Sequence, residues 1–179
     1  MRIIAGLAKG LPLHVPCGRD VRPTSDRVRG AIFSSLGDRV IGATVLDLYA
    51  GTGALGLEAA SRGARSVAFV ENSAVVLRSL EKNLAAFRRN RVVDCEFRVT
   101  RVRPAGAFDL IFADPPYGDA AQELLNDKSL TAALTADGTL VLESAKRSAL
   151  VVPAGWLVER DAVYGDTRVS FLRRRPEAG

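Results

Sequence analysis

The sequence predicts an α/β chain: a Rossmann-like, doubly wound, mostly parallel sheet with an antiparallel C-terminal hairpin, preceded by a small basic hairpin and helix. Three observations carry this expectation. From Ile41 the chain alternates short β-rich runs with stretches of helical periodicity, the βαβ succession of a parallel sheet. The first run, ATVLDLYA, ends in a glycine-rich turn that opens a helix. The last segment, WLVERDAVYGDTRVSFLRRR, reads as two strands joined at Gly165-Asp166.

Each element has its own signal. Residues 1–23 are rich in Gly and Pro and read as a short strand or hairpin followed by a loop. TSDRVRGAIFSSLG reads as a helix, with Thr24 or Ser25 as cap, Val28, Ile32 and Leu36 on one face, and Gly37 at the stop. After the first strand, ALGLEAASRG is a short helix closed by Gly63, and SVAFVE is a second buried strand. SAVVLRSLEKNLAAF is a helix with Val76, Leu77, Leu80, Leu84 and Phe87 on its apolar face. A third strand is expected near Val92–Val93, and FDLIFADPPYG is a fourth, broken by two prolines. AAQELLN and LTAALTADG read as helical, and TLVLES as a further strand. The change of rhythm at Ile41 divides the chain into a basic extension, 1–40, and a main domain, 41–179.

Composition narrows the function classes. At 179 residues and 47% hydrophobic, the chain can bury a sizeable core and is not expected to be disordered. No apolar run reaches the roughly 18 residues that span a bilayer, and the N-terminus lacks the apolar core of a signal peptide. A cytoplasmic protein without a membrane partner is expected. The two cysteines, Cys17 and Cys95, are far apart, and His14 is the sole histidine, so no metal site and no Ser-His-Asp triad is expected. The net charge is +5, and residues 1–40 hold most of it, with seven basic residues against three acids. A basic face of this kind attracts phosphates.

Gly51, Gly53 and Gly56 form a G-x-G-x-x-G, and Glu71 follows 20 residues after Gly51, the spacing of a dinucleotide-binding fingerprint. NAD would lay its pyrophosphate over this loop. Asp47, four residues before Gly51, is a poor neighbour for a diphosphate and a good one for a cation. S-adenosylmethionine has no phosphate and carries a sulfonium and an α-ammonium group. Glu71, at the end of the second strand, can accept from both ribose hydroxyls of either cofactor, so Asp47 discriminates between them and Glu71 does not.

Asp114, Pro115, Pro116 and Tyr117 follow the apolar run Phe108–Ala113, at a strand's carboxyl end, where ligands of open α/β sheets bind. Here the sequence resembles the amino methyltransferases that carry [DN]-P-P-[FYW]. An exocyclic base amine is a poor nucleophile, because its lone pair is delocalised into the ring. A carboxylate and a backbone carbonyl can accept its two N–H bonds. Consecutive prolines fix an extended turn that can aim such a carbonyl, and an aromatic neighbour can stack on an extruded base.

The resemblance then narrows. RIIAGLAKGLPL, RPTSDRVRGAIFSSL, LDLYAGTGALGLEAASRGA, FVE and ADPPY, in this order, are similar to the bacterial 16S ribosomal RNA guanine-N2 methyltransferases, the small-subunit methyltransferase D family. The similarity covers nearly the whole chain. It implies S-adenosylmethionine as donor and one guanine of 16S ribosomal RNA, free or in an assembling small subunit, as acceptor. It places Asp47, Tyr49, Ala50, Gly51, Thr52, Gly53 and Glu71, with Asn72 beside it, at the cofactor, and Asp114, Pro115, Pro116 and Tyr117 at the amine. Arg2, Lys9, Arg22 and Arg27 become the expected RNA contacts. Two departures stand out. Gly30 replaces the acid usual after Val28-Arg29, and the acid usual near the adenine after the third strand is not matched; spacing from Asp114 selects Glu96 for it, then Asp94.

Three other readings compete. A DNA adenine-N6 methyltransferase shares D-P-P-Y but usually needs a separate DNA-recognition region. A protein glutamine methyltransferase resembles Asn-Pro-Pro-Tyr rather than Asp114. An inert RNA-binding or ribosome-assembly protein would not need Asp47, Glu71 and Asp114 together.

Overall fold

The computed structural model describes residues 1–16, 24–89, 93–116 and 118–176. The chain forms two compact units, Met1–Pro104 and Ala105–Gly179.

The first unit begins with an arm. Arg2 and Pro12 form an antiparallel bridge, and backbone bonds from Ile3 N to Leu11 O (3.0 Å) and Leu13 N to Met1 O (3.0 Å) close the hairpin. Helix α1 (Asp26–Leu36) follows. Ser25 caps it by accepting from Val28 N, and Gly37 ends it at φ 53°, with its N–H on Phe33 O. Val28, Ile32, Phe33 and Leu36 form the buried stripe. The fully buried guanidinium of Arg29 ties helix to arm: its Nη2 donates to Arg2 O and to Asp26 Oδ1, both at 2.7 Å.

A single 3₁₀ turn (Gly37–Val40) leads to β1 (Thr44–Leu48), α2 (Ala54–Ser61), β2 (Ser66–Val70), α3 (Ala74–Arg89) and β3 (Glu96–Thr100). The strands are parallel in the order β3-β2-β1. Two glycines let α2 and the residue before it lie close on β2 and α3. A Cβ on Gly56 would stand 2.4 Å from Phe69 Cε1, and one on Gly53 would stand 2.5 Å from Leu80 Cδ1.

The arm docks on α2 through polar groups. Glu58 is 0% exposed. Its carboxylate accepts from Ile4 N (2.7 Å), Ala5 N (3.0 Å) and Arg62 Nε (2.8 Å). Ser61 Oγ accepts from Ala8 N (2.9 Å) and donates to Ala5 O (2.6 Å), while Ser61 O accepts from Leu7 N (2.7 Å). Gly6 lies so near this turn that a Cβ would be 1.9 Å from Ser61 O. The LEAASRGA segment is therefore the counterpart of RIIAGLAKG: each supplies the partners that the other's buried groups require.

The second unit holds β4 (Phe108–Ala113), α4 (Ala120–Asn126), α5 (Lys128–Ala132), β5 (Leu134–Ala145), β6 (Trp156–Tyr164) and β7 (Thr167–Arg174). Its strand order is β4-β5-β7-β6. β4 and β5 are parallel, and β7 is antiparallel to both β5 and β6. Trp156 anchors the interior, its Nε1 donating to Leu125 O at 2.9 Å. The hairpin turn falls at Gly165 (φ 63°) and Asp166, as the sequence predicts.

Two element assignments are corrected. The third strand is Glu96–Thr100; of the expected Val92–Val93, Val93 precedes it and Val92 lies outside the described residues. The stretch Leu134–Gly138 belongs to β5 rather than to a helix. Phe108 pairs with Leu134, and this tertiary pairing overrides the local helical preference of LTAALTADG. Among the described residues, no helix is long and apolar enough to cross a membrane.

Candidate active site

The carboxyl end of β1 carries the glycine loop. Tyr49 has φ 56°, Gly51 φ 57° and Gly53 φ 81°, so left-handed residues alternate along the turn. Tyr49 is the non-glycine member and is 42% exposed. A left-handed side-chain-bearing residue is unfavourable by about 1–2 kcal/mol, and such strain concentrates at functional sites.

The loop's polar groups hold it from several sides. Ala50 N donates to Val70 O (3.0 Å), and Gly53 N to Ala50 O (2.8 Å). Gly51 N donates to Glu71 Oε2 (2.9 Å), while Glu71 Oε1 accepts from Ser73 N (2.7 Å). Thr52 O accepts from Asn83 Nδ2 (2.9 Å). Asp47 is 2% exposed, and its Oδ2 accepts from Gly56 N at 2.9 Å. Helix α2 has no side-chain cap at its own N-cap, Gly53, so Asp47 supplies an acceptor for its first turn from the adjacent strand.

This arrangement fits S-adenosylmethionine. Gly51 is open on its Cβ side, where a Cβ would meet nothing nearer than Tyr49 O at 3.8 Å. A ligand can therefore approach the backbone there. Glu71 stands half-exposed one residue beyond β2, with lone pairs left for a diol. Asn72 is exposed beside it. Gly53 and Gly56 serve packing, so the three glycines of the motif do different jobs.

Glu96 does not join this group. It opens β3, paired with Ser66, whereas Thr100 pairs with Val70 beside Glu71. Four residues of extended chain, about 13 Å, separate it from the carboxyl end. Spacing from Asp114 selects Glu96 for a place after the third strand, whereas the structure sets it at that strand's start. Asp94 precedes β3 altogether.

Asp114 follows β4 directly and is exposed, Pro115 is buried and Pro116 exposed. Tyr117 lies outside the described residues, as does Arg22. Arg2, Lys9 and Arg27 are exposed. Cys95 is a free thiol whose pKa is raised to about 11 by burial first, then by the charges of Asp94 and Glu96. It stays protonated near neutral pH and is a poor nucleophile.

The sequence reading missed Ser79 and Asn83 on α3. Both are buried, and both contact His14: Asn83 through the backbone of that residue, Ser79 Oγ through Nδ1 at 3.3 Å. Their signal was the i, i+4 spacing, alongside Leu80 and Leu84, of two small polar residues on an otherwise apolar face.

Comparison with known proteins agrees with this architecture. The family model described as conserved hypothetical protein 95 matches residues 1–173. The ribosomal RNA small subunit methyltransferase D of Escherichia coli K12 is 33% identical over 99% of this chain and 91% of its own length. The solved structure of the yhhF protein of Escherichia coli superposes with a TM-score of 0.79 at 32% identity, covering 97% of each chain. A 16S rRNA N2 methyltransferase (RsmC) of Thermus thermophilus, solved with AdoMet and guanosine, gives a TM-score of 0.65 at 27% identity over 87% of this chain and 44% of that one. The fold is that of the class I methyltransferases, mostly parallel with an antiparallel C-terminal hairpin. The chain belongs to the ribosomal RNA small subunit methyltransferase D family.

Proposed function

We propose that this protein transfers a methyl group from S-adenosylmethionine to the exocyclic N2 amine of a guanine in 16S ribosomal RNA. The observation that carries the proposal is the Asp114-Pro115-Pro116 turn at the carboxyl end of β4, in a chain of this family. The RsmC neighbour, an N2 methyltransferase of the same ribosomal RNA, supports the choice of nitrogen.

S-adenosylmethionine supplies an electrophilic methyl group on a sulfonium. Glu71 holds the ribose hydroxyls, with Asn72 beside it, and the backbone of Tyr49–Gly53 lines the donor. Asp47 fixes the loop through Gly56 N and adds negative charge near the cationic end. The Asp114 carboxylate and a backbone carbonyl of the Pro115–Pro116 turn accept the two N–H bonds of the amine. These bonds turn the nitrogen lone pair toward the methyl carbon and stabilise the positive charge that develops on nitrogen. The nitrogen attacks, the carbon–sulfur bond breaks with its electron pair going to sulfur, and the methylated amine releases a proton to Asp114 or water. Tyr117 stacks on the extruded base.

Residues 1–40 serve as the RNA-binding extension. The docking of the arm supports this, because Glu58 and Ser61 engage its backbone while the side chains of Arg2 and Lys9 stay exposed. With Arg22 and Arg27 they bind phosphates rather than bases. The test is mass spectrometry of small-subunit RNA, free and in assembled subunits, after incubation with the protein and methyl-labelled S-adenosylmethionine. Label on guanine N2 at one position supports the proposal. Label on adenine, label on DNA alone, or none in any substrate contradicts it.

A further inference from the structure

Asn83 is 1% exposed, and its amide makes three hydrogen bonds. Oδ1 accepts from His14 N at 2.7 Å. Nδ2 donates to His14 O at 3.0 Å and to Thr52 O at 2.9 Å. The two bonds to His14 reproduce the pairing of a β-ladder, with a side-chain amide standing in for the neighbouring strand. The third fixes the carbonyl between Gly51 and Gly53. Exchanging the amide's O and N would set NH₂ against an N–H and oxygen against two carbonyls, so the bonding pattern defines the orientation. Leu80, on the same helix, packs beneath Gly53 at the distance that excludes a Cβ there. Ser79, one turn before Asn83, holds the His14 ring.

One buried amide thus joins two segments with different tasks. His14 is the end of the docked arm and lies eight residues before Arg22 in the sequence. Thr52 sits in the glycine loop. A buried amide cannot release one partner and keep the other without leaving a polar group unpaired. A shift of either segment is therefore felt by the other.

We propose that Asn83 is a positioning residue that makes cofactor binding and RNA binding cooperative. The proposal rests on the functional reading above, in which the loop holds the donor and the arm meets RNA. RNA on the arm fixes residue 14, residue 14 fixes the amide, and the amide fixes the Thr52 carbonyl and the peptides around it. By linkage the effect is reciprocal: the factor by which RNA tightens the cofactor equals the factor by which the cofactor tightens RNA.

The experiment is calorimetric titration of S-adenosylhomocysteine, which binds without turnover, with and without a saturating 16S ribosomal RNA transcript. The wild-type protein is expected to bind it about 5-fold or more tightly with RNA, within the usual range of such couplings. Asn83→Asp keeps the acceptor for His14 N and loses both donors. Its ratio is expected to fall to about one. Ser79→Ala, which leaves the amide in place, is expected to keep the wild-type ratio. If the Asn83 variants do not fold, His14→Pro removes the arm's N–H from the other side of the link and is expected to lower the ratio too. An unchanged ratio in Asn83→Asp or, failing that, in His14→Pro overturns the proposal. So does a wild-type ratio of one. Wild-type protein that binds no S-adenosylhomocysteine under either condition overturns the functional reading itself.

Discussion

The loops that follow β1 and β4 both carry a strand-end acid, yet the two acids stand in different surroundings. Asp47 is buried, and its carboxylate accepts from Gly56 N in α2. Around it, Glu71, Asn83, Val70 and Ala50 take up the backbone groups of the glycine loop. Asp114 is exposed, set on a turn stiffened by Pro115 and Pro116. The first loop is held by the protein's own polar groups. The second presents its acid to solvent. The difference separates two uses of a strand-end acid: Asp47 is buried and satisfies a backbone donor of the next helix, whereas Asp114 is exposed and is the acid proposed to meet the substrate amine. Substitutions in the first region should therefore appear in stability and affinity, and those at Asp114 in the rate of methyl transfer.

The largest effect is expected at Glu58, which extends the closed region to the arm. Glu58→Ala leaves Ile4 N and Ala5 N without their acceptor and Arg62 without its partner. Each backbone donor left without its acceptor costs about 1–3 kcal/mol, so the two together give the largest loss, to be read from denaturant unfolding. A loss below about 1 kcal/mol would mean that the arm is held by apolar contacts instead. Next comes Glu71→Ala, which removes the charged acceptor proposed for the ribose. Hydrogen bonds to charged groups contribute about 1.5–3 kcal/mol, or roughly 10- to 150-fold in affinity for S-adenosylmethionine. Calorimetry checks it, and unchanged affinity would remove Glu71 from the site. Asp47→Ala strands Gly56 N in the interior and should destabilise the fold by about 1–3 kcal/mol. Thermal unfolding with and without S-adenosylmethionine separates this loss from any change in binding. The smallest effect belongs to the surface of the arm and of α1. Neutralising Arg2, Lys9 or Arg27 singly should lower the salt slope of RNA binding by roughly one unit and leave cofactor affinity unchanged. Unchanged slopes in all three would move the RNA surface elsewhere.

Much of this was legible in the sequence because it rests on local patterns. The alternation of strand and helix, the Ser25 cap, the Gly37 stop and the Gly165-Asp166 hairpin each follow from a few adjacent residues. Errors arose where pairing partners far apart decide. β3 is short and rich in charge, so its alternation gives no clear start, and spacing from Asp114 alone sets Glu96 at the wrong end of it. The first residues of β5 have helical composition, and their pairing with Phe108 makes them strand. The candidate site was legible as a set of strand-end acids and glycines. What those groups touch was not. Asp47 reads as a carboxylate for a cation, and the structure adds that α2 requires it in any case. Glu58, Ser61 and Asn83 read as ordinary helix residues, because their partners are backbone groups of the arm, more than 50 positions away.

Central to this account is the division of labour between the two acids, and single-turnover methyl transfer by Asp114→Ala tests it most directly. The variant should fold, bind S-adenosylmethionine with wild-type affinity in calorimetry, and transfer methyl to 16S ribosomal RNA roughly 10²–10³-fold more slowly, as for loss of one preorganised partner of a developing charge. A variant that folds, binds the cofactor and methylates RNA at the wild-type single-turnover rate would contradict it.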